Sequence, residues 1–173
     1  MKSFLSKAMI LSALGATFIS GTALANNDDV LKWQSVIGII QGGNTVGSGT
    51  GAVTSNGQPW SALGGQVRVD PDTGRIDFRV NGLVFAGGNS IGTPGTVAQV
   101  KGTIVCDTNG SASSPVGNSV FVDTPLVDLS EDGDAEFHGT VGPLPAVCST
   151  EPDVAFLIRT ASGKWIGNAT VLH

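Results

Sequence analysis

The chain has no tyrosine, two histidines, two cysteines and only 13% charged residues in a length of 173. Each scarcity closes a line of explanation. An eight-stranded outer-membrane barrel would fit the length, but such barrels set aromatic girdles at two lipid interfaces. A chain without tyrosine that ends in Val171-Leu172-His173 argues against one. Two cysteines allow a single bridge, and two histidines with no short-range spacing make a poor zinc site. Beyond the first 25 residues no long apolar run exists, so no helical membrane span is expected in the mature chain.

What is present begins with a leader. Lys2 and Lys7 precede the apolar or small stretch AMILSALGATFISGT, and Ala23 and Ala25 stand in the A-x-A arrangement of a signal-peptidase site. Residues 1–25 are read as a cleaved signal peptide, and residues 26–173 as one secreted or periplasmic domain. Without the two leader lysines, seven basic side chains face fourteen acidic ones. That surplus of acid, with the basic residues scattered along the sequence, predicts no nucleic-acid partner.

Hydrophobic periodicity sets the fold class. Gly65–Asp70 and Arg75–Val80 alternate strictly, with Val67, Val69, Ile76, Phe78 and Val80 on one face and Arg68, Asp77 and Arg79 on the other. Between them Asp-Pro-Asp-Thr-Gly carries the chemistry of a tight turn, with Gly74 able to take positive φ. Residues 119–130 and 135–141, joined by Glu131-Asp132-Gly133-Asp134, read as a second hairpin with Phe137 inward and Glu136 and His138 outward. A third joins 153–160 to 164–172 through Ala161-Ser162-Gly163. With the apolar segment Val30–Gln41 and the stretch 96–106, about eight strands emerge and no helical period after residue 29. The expected fold is all-β: an antiparallel β-sandwich or partly closed barrel. Gln41–Pro59, rich in glycine and free of charge, is read as a flexible connection. It would let Val30–Gln41 pair within its own chain or be donated to a neighbour, a route to self-assembly.

Candidate site residues are few. Cys106 and Cys148, forty-two residues apart in a chain expected to be exported, are most simply a disulfide. The alternatives are buried free thiols, or zinc completed by His138 and His173. Gly47–Ala52 matches a dinucleotide fingerprint, but no helix follows to hold a pyrophosphate. Gly88-Asn89-Ser90-Ile91-Gly92 fits a nucleophile elbow, and Asp107 or Asp123 with His138 supplies a hydrolase order. The turn Thr93-Pro94-Gly95 follows where the elbow needs a helix. Asp132 and Asp134 could hold calcium weakly, although the twelfth loop position is Gly139 instead of glutamate. Trp60 could stack on a sugar face, against the usual burial of tryptophan.

The TGRIDFRV hairpin and the strand order resemble the secreted CHRD-type sandwich, without that family's His-x-His, and no residue role follows. The expected function is an exported, non-catalytic module with a binding, surface or structural role and no cofactor. The alternative is a small enzyme built around His138 and surface carboxylates.

Overall fold

The computed structural model describes residues 30–172; the leader reading and His173 lie outside them. Thirteen strands follow one another: β1 (Leu31–Gly38), β2 (Thr45–Val46), β3 (Val53–Thr54), β4 (Trp60–Ser61), β5 (Gly64–Asp70), β6 (Arg75–Asn81) and β7 (Val84–Phe85) come first. Then come β8 (Gln99–Cys106), β9 (Val120–Asp123), β10 (Val127–Asp128), β11 (Ala135–Thr140), the single helical turn α1 (Val147–Thr150), β12 (Ala155–Thr160) and β13 (Trp165–Leu172). Eight strands form one antiparallel sheet in the order β10-β8-β12-β13-β1-β5-β6-β11, with β9 on the same edge of β8 as β10. The sheet curls into a half-barrel, the partly closed alternative of the two expected architectures.

The alternation that marks β5 and β6 in the sequence fixes their register. Val67 lies opposite Phe78 and Val69 opposite Ile76, and β11 adds Phe137 opposite Phe78. These side chains point into the concave side, which is filled by aromatic rings. Trp33 meets Phe156 at 6.0 Å, Phe156 meets Phe78 at 5.8 Å, and Phe78 meets Phe137 at 6.1 Å. Gly102 makes room for them: a Cβ there would stand 2.5 Å from Phe156 Cζ and 2.8 Å from Phe78 Cδ1. Phe78 is buried, whereas Phe137 is half-buried because β11 is an edge strand with a neighbour on one side only.

The segment 131–134 does not close a paired hairpin. Its flanking strands go to opposite edges of the sheet, β10 onto β8 and β11 onto β6. The turn itself forms as expected, with Gly133 N donating to Ser130 O and Asp134 N to Ser130 Oγ. It therefore bridges the two rims of the half-barrel instead of zipping neighbours together.

The glycine-rich segment is a second correction, because it is an ordered wrap and not a loose tether. Residues 42–57 fold back as β2 paired with β3 and lie on the convex side of β8, β12 and β13. Val53 is buried there, as are Val105 and Leu157 on the sheet beneath. The tip is pinned by Ser48 N to Ser119 Oγ (2.8 Å), Ser119 N to Ser48 O (3.0 Å) and Thr50 N to Asn118 Oδ1 (2.8 Å). Glycine is needed for contact rather than for flexibility: a Cβ on Gly51 would meet Ser119 O at 1.8 Å. β1, for its part, is a central strand between β13 and β5 of its own chain.

Cys106 closes β8 and is bonded to Cys148 in α1, with both residues buried. The chain leaving β11 at one rim must reach β12 in the middle of the sheet. It crosses the end of the half-barrel on the way, burying Leu144 and Cys148. The bridge ties that crossing segment to β8. Beside it the buried Asp107 accepts from Ser111 N, Ala112 N, Ser113 N and Ser113 Oγ at 2.6–3.0 Å. Burial pushes its carboxyl up, but these hydrogen bonds outweigh that and hold it below the usual carboxylate range.

Candidate functional site

The convex side of the sheet is divided. The half over β8, β12 and β13 is covered by the 42–57 wrap, and the half over β1, β5, β6 and β11 is open. Because strands alternate, every polar side chain of the open half comes to one surface. Lys32 is opposite Arg68, Arg68 opposite Asp77, and Asp77 opposite His138, a row crossing four strands. One residue pair away, Gln66 is opposite Arg79 and Arg79 opposite Glu136. Strand pairing thus collects Lys32, Arg68, Arg75 and Arg79, four of the seven lysines and arginines among the described residues. Their scattering in sequence does not survive in space.

Three depressions join across this face. The first, about 300 Å³, is bordered by Lys32, Gln34, Gln66 and Arg68; the second, about 280 Å³, shares Gln34 and Gln66 and adds Gly65, Arg79 and Asn81. The third, about 420 Å³, shares Arg79 and Asn81 and reaches the rim at Asp128, Asp134 and Glu136. The result is a groove of three adjoining depressions across the strands, cationic at the β1 end and, at the rim, anionic with Val80, Val127 and Ala135 also in its wall. It opens where the β1–β5 ladder ends, since pairing covers Leu31, Lys32 and Trp33 only.

Charge pairing along the groove is incomplete. Arg75 gives Asp77 a two-point contact, Nε to Oδ2 at 2.9 Å and Nη2 to Oδ1 at 3.3 Å. The Arg75 hydrogen bond holds the Asp77 carboxyl below its usual range, and Asp77 raises the Arg75 guanidinium in return. Lys32, Arg68 and Arg79 have no carboxylate partner among the described residues; Arg79 has only Asn81 Oδ1, at 3.2 Å. By contrast Lys101 and Arg159 converge on Asp123 at 2.5 and 2.8 Å. Thr103 Oγ1 donates to the same carboxylate at 2.6 Å, and Arg159 lies over the Phe121 ring. That second cluster is a clamp between β8, β9 and β12, with its charges already satisfied.

The residues singled out in the sequence fall in different places. His138 lies at the edge of the open face, 61% exposed, with Nδ1 3.1 Å from Asp77 Oδ1 and Nε2 3.8 Å from Glu136 Oε2. Trp60 is not displayed: it is 2% exposed, with its ring centroid 4.1 Å from that of Phe85, so no face is left for a sugar. Asp134 Oδ1 accepts from Gly82 N at 2.8 Å and secures the rim turn, while Asp132 is exposed beside it. Among the described residues no group of three or more His, Cys, Asp or Glu side chains is gathered in a metal-holding arrangement. Ser90 is an exposed turn residue, Asp107 and Asp123 serve their own networks, and His138 serves Asp77, so the hydrolase order is not assembled. The groove residues Gln34, Gln66 and Asn81 were unmarked by any motif; only their outward position in alternating strands pointed to them.

No family model, curated protein or solved structure matches the chain.

Proposed function

We propose that the protein is an exported, non-catalytic binding module whose ligand surface is the open face of β1, β5, β6 and β11. The observation that carries this reading is the groove, in which three cations outside ion-pair distance of any carboxylate among the described residues stand beside the side-chain amides Gln34, Gln66 and Asn81. The disulfide and the absence, among the described residues, of any helix long and apolar enough to cross a membrane are compatible with export. The filled concave side leaves the convex face as the surface for a ligand. A second reading, an enzyme using His138 with Asp77, is favoured by their 3.1 Å contact. Against it, the pair stands in open solvent, and Arg75 already occupies both Asp77 oxygens.

The test is retention of the exported protein on immobilised dextran, cellulose and polygalacturonate, with analysis of released products. Retention on at least one polymer, lost in Arg68→Gln/Arg79→Gln and accompanied by no released oligosaccharide, is expected. Product release abolished by His138→Ala would favour the enzyme, and retention on none would remove the binding reading.

A further inference from the structure

Resting on the binding reading above, we infer that the groove takes a linear acidic polysaccharide, a chain that presents both carboxylates and hydroxyls. The cationic end carries a like-charge contact, with Asp77 next in the same row. Lys32 and Arg68 are directly opposed in the β1–β5 ladder. Such partners stand roughly 5 Å apart at Cβ and repel each other. Neither has a carboxylate partner among the described residues, and Arg79 lies diagonally beyond, at the roughly 7–8 Å of a neighbouring-row position. Three cations side by side, none within ion-pair distance of a carboxylate although Arg68 and Arg79 face Asp77 and Glu136 across the ladders, are complementary to carboxylates spaced along a strand.

The rest of the groove selects among anions. Gln34, Gln66 and Asn81 each offer both a donor and an acceptor, which suits sugar hydroxyls. Asp128, Asp134 and Glu136 at the rim offer acceptors only, to hydroxyl donors. A polyphosphate would bring no hydroxyl donors to these three carboxylates, and is disfavoured. A folded protein partner would seek aromatic or aliphatic anchors, whereas the middle of the groove is lined by Gln34, Gln66, Arg79 and Asn81, with Val80, Val127 and Ala135 only at the rim end. The groove also runs across the strands and not along an edge, so an extended peptide could not add to the sheet there.

Affinity electrophoresis of the exported protein through gels containing polygalacturonate, alginate, dextran, dextran sulfate or single-stranded DNA tests the inference. Retardation by polygalacturonate and alginate, weakening as salt rises from 0.05 to about 0.5 M, is expected because screening shortens to a few ångström over that range. Arg68→Gln and Arg79→Gln should each bind about tenfold more weakly, as expected for loss of one charge-assisted contact. Lys164→Gln, which removes an exposed cation outside the groove, should bind as the parent does. Retardation by dextran alone would overturn the acidic ligand while leaving the binding module intact. Strongest retardation by DNA or dextran sulfate, or equal retardation of all variants, would overturn the inference by pointing to charge alone or to another surface. No retardation in any gel would remove both readings.

Discussion

Replacing Gly51 with alanine separates an ordered wrap from a loose tether. The added Cβ would stand 1.8 Å from Ser119 O and 2.4 Å from Ser119 C, both backbone atoms. Ser119 cannot withdraw cheaply, because it is buried, its N–H donates to Ser48 O and its Oγ donates to Asp107 O at 2.8 Å. The tip of the wrap must therefore lift, weakening the Ser48–Ser119 and Thr50–Asn118 hydrogen bonds and loosening the cover over Val105. Overpacking of this kind costs roughly 1–3 kcal/mol, and each lost hydrogen bond adds roughly 0.5–1.5 kcal/mol. A loss of about 2–4 kcal/mol is expected. For a chain of this size it should lower the melting temperature by roughly 4–16 °C. Gly57→Ala is the matched control: neither glycine has positive φ, and nothing lies within 4 Å of a Cβ at Gly57. It should melt within about 0.5 kcal/mol of the parent. Thermal unfolding followed by circular dichroism measures both. Equal melting temperatures for the two variants would refute the docking of the wrap.

Four further outcomes follow from the same contacts. Replacing both Cys106 and Cys148 by alanine opens a 42-residue span and should cost about 4 kcal/mol in the chain-entropy account. The parent should show no free thiol on denaturation without reductant; stoichiometric labelling would contradict the bridge. Phe78→Ala should destabilise by roughly 3–5 kcal/mol in urea unfolding, and Phe137→Ala by clearly less, since the edge strand leaves it half-buried. Equal losses would place β11 deeper than its edge position. Asp107, whose folded-state carboxyl is held below the ordinary value, gives stability that is fully present above about pH 4 and lost as pH falls through its depressed value. The difference between the parent and Asp107→Asn in urea should therefore shrink on acidification from pH 7 to pH 2.5, and a constant gap would contradict it. Lys32→Glu replaces a like-charge pair by an opposite one and should stabilise by roughly 0.2–1 kcal/mol; destabilisation would mean that Lys32 serves the fold.

The strands with one buried face were readable because their alternation is strict: Val67, Val69, Ile76, Phe78 and Val80 all point inward as spaced. Two features escaped for a physical reason. Opposite Glu131–Asp134 the local turn chemistry is that of a hairpin, yet pairing is decided by which sheet edge each flank can reach, a nonlocal choice. The wrap escaped because glycine serves both flexibility and close approach, and composition alone does not separate the two. The continuous apolar runs Ile104–Cys106 and Phe156–Ile158 were the available signal, since strands buried on both faces lose their alternation. The groove was half visible. Outward Arg68, Asp77 and Arg79 follow from alternation, but their meeting with Lys32 and Gln34 depends on β1 lying beside β5, which no local pattern specifies.

A titration of the isotope-labelled protein with trigalacturonate, followed by amide chemical shifts, bears most directly on the open face as the ligand surface. The account predicts shifts concentrated at Lys32, Gln34, Gln66, Arg68, Arg79 and Asn81, with the 42–57 wrap and the Asp123 clamp unmoved. Shifts confined to the wrap or to the 86–98 loop, or no shift at saturating oligosaccharide, would contradict it.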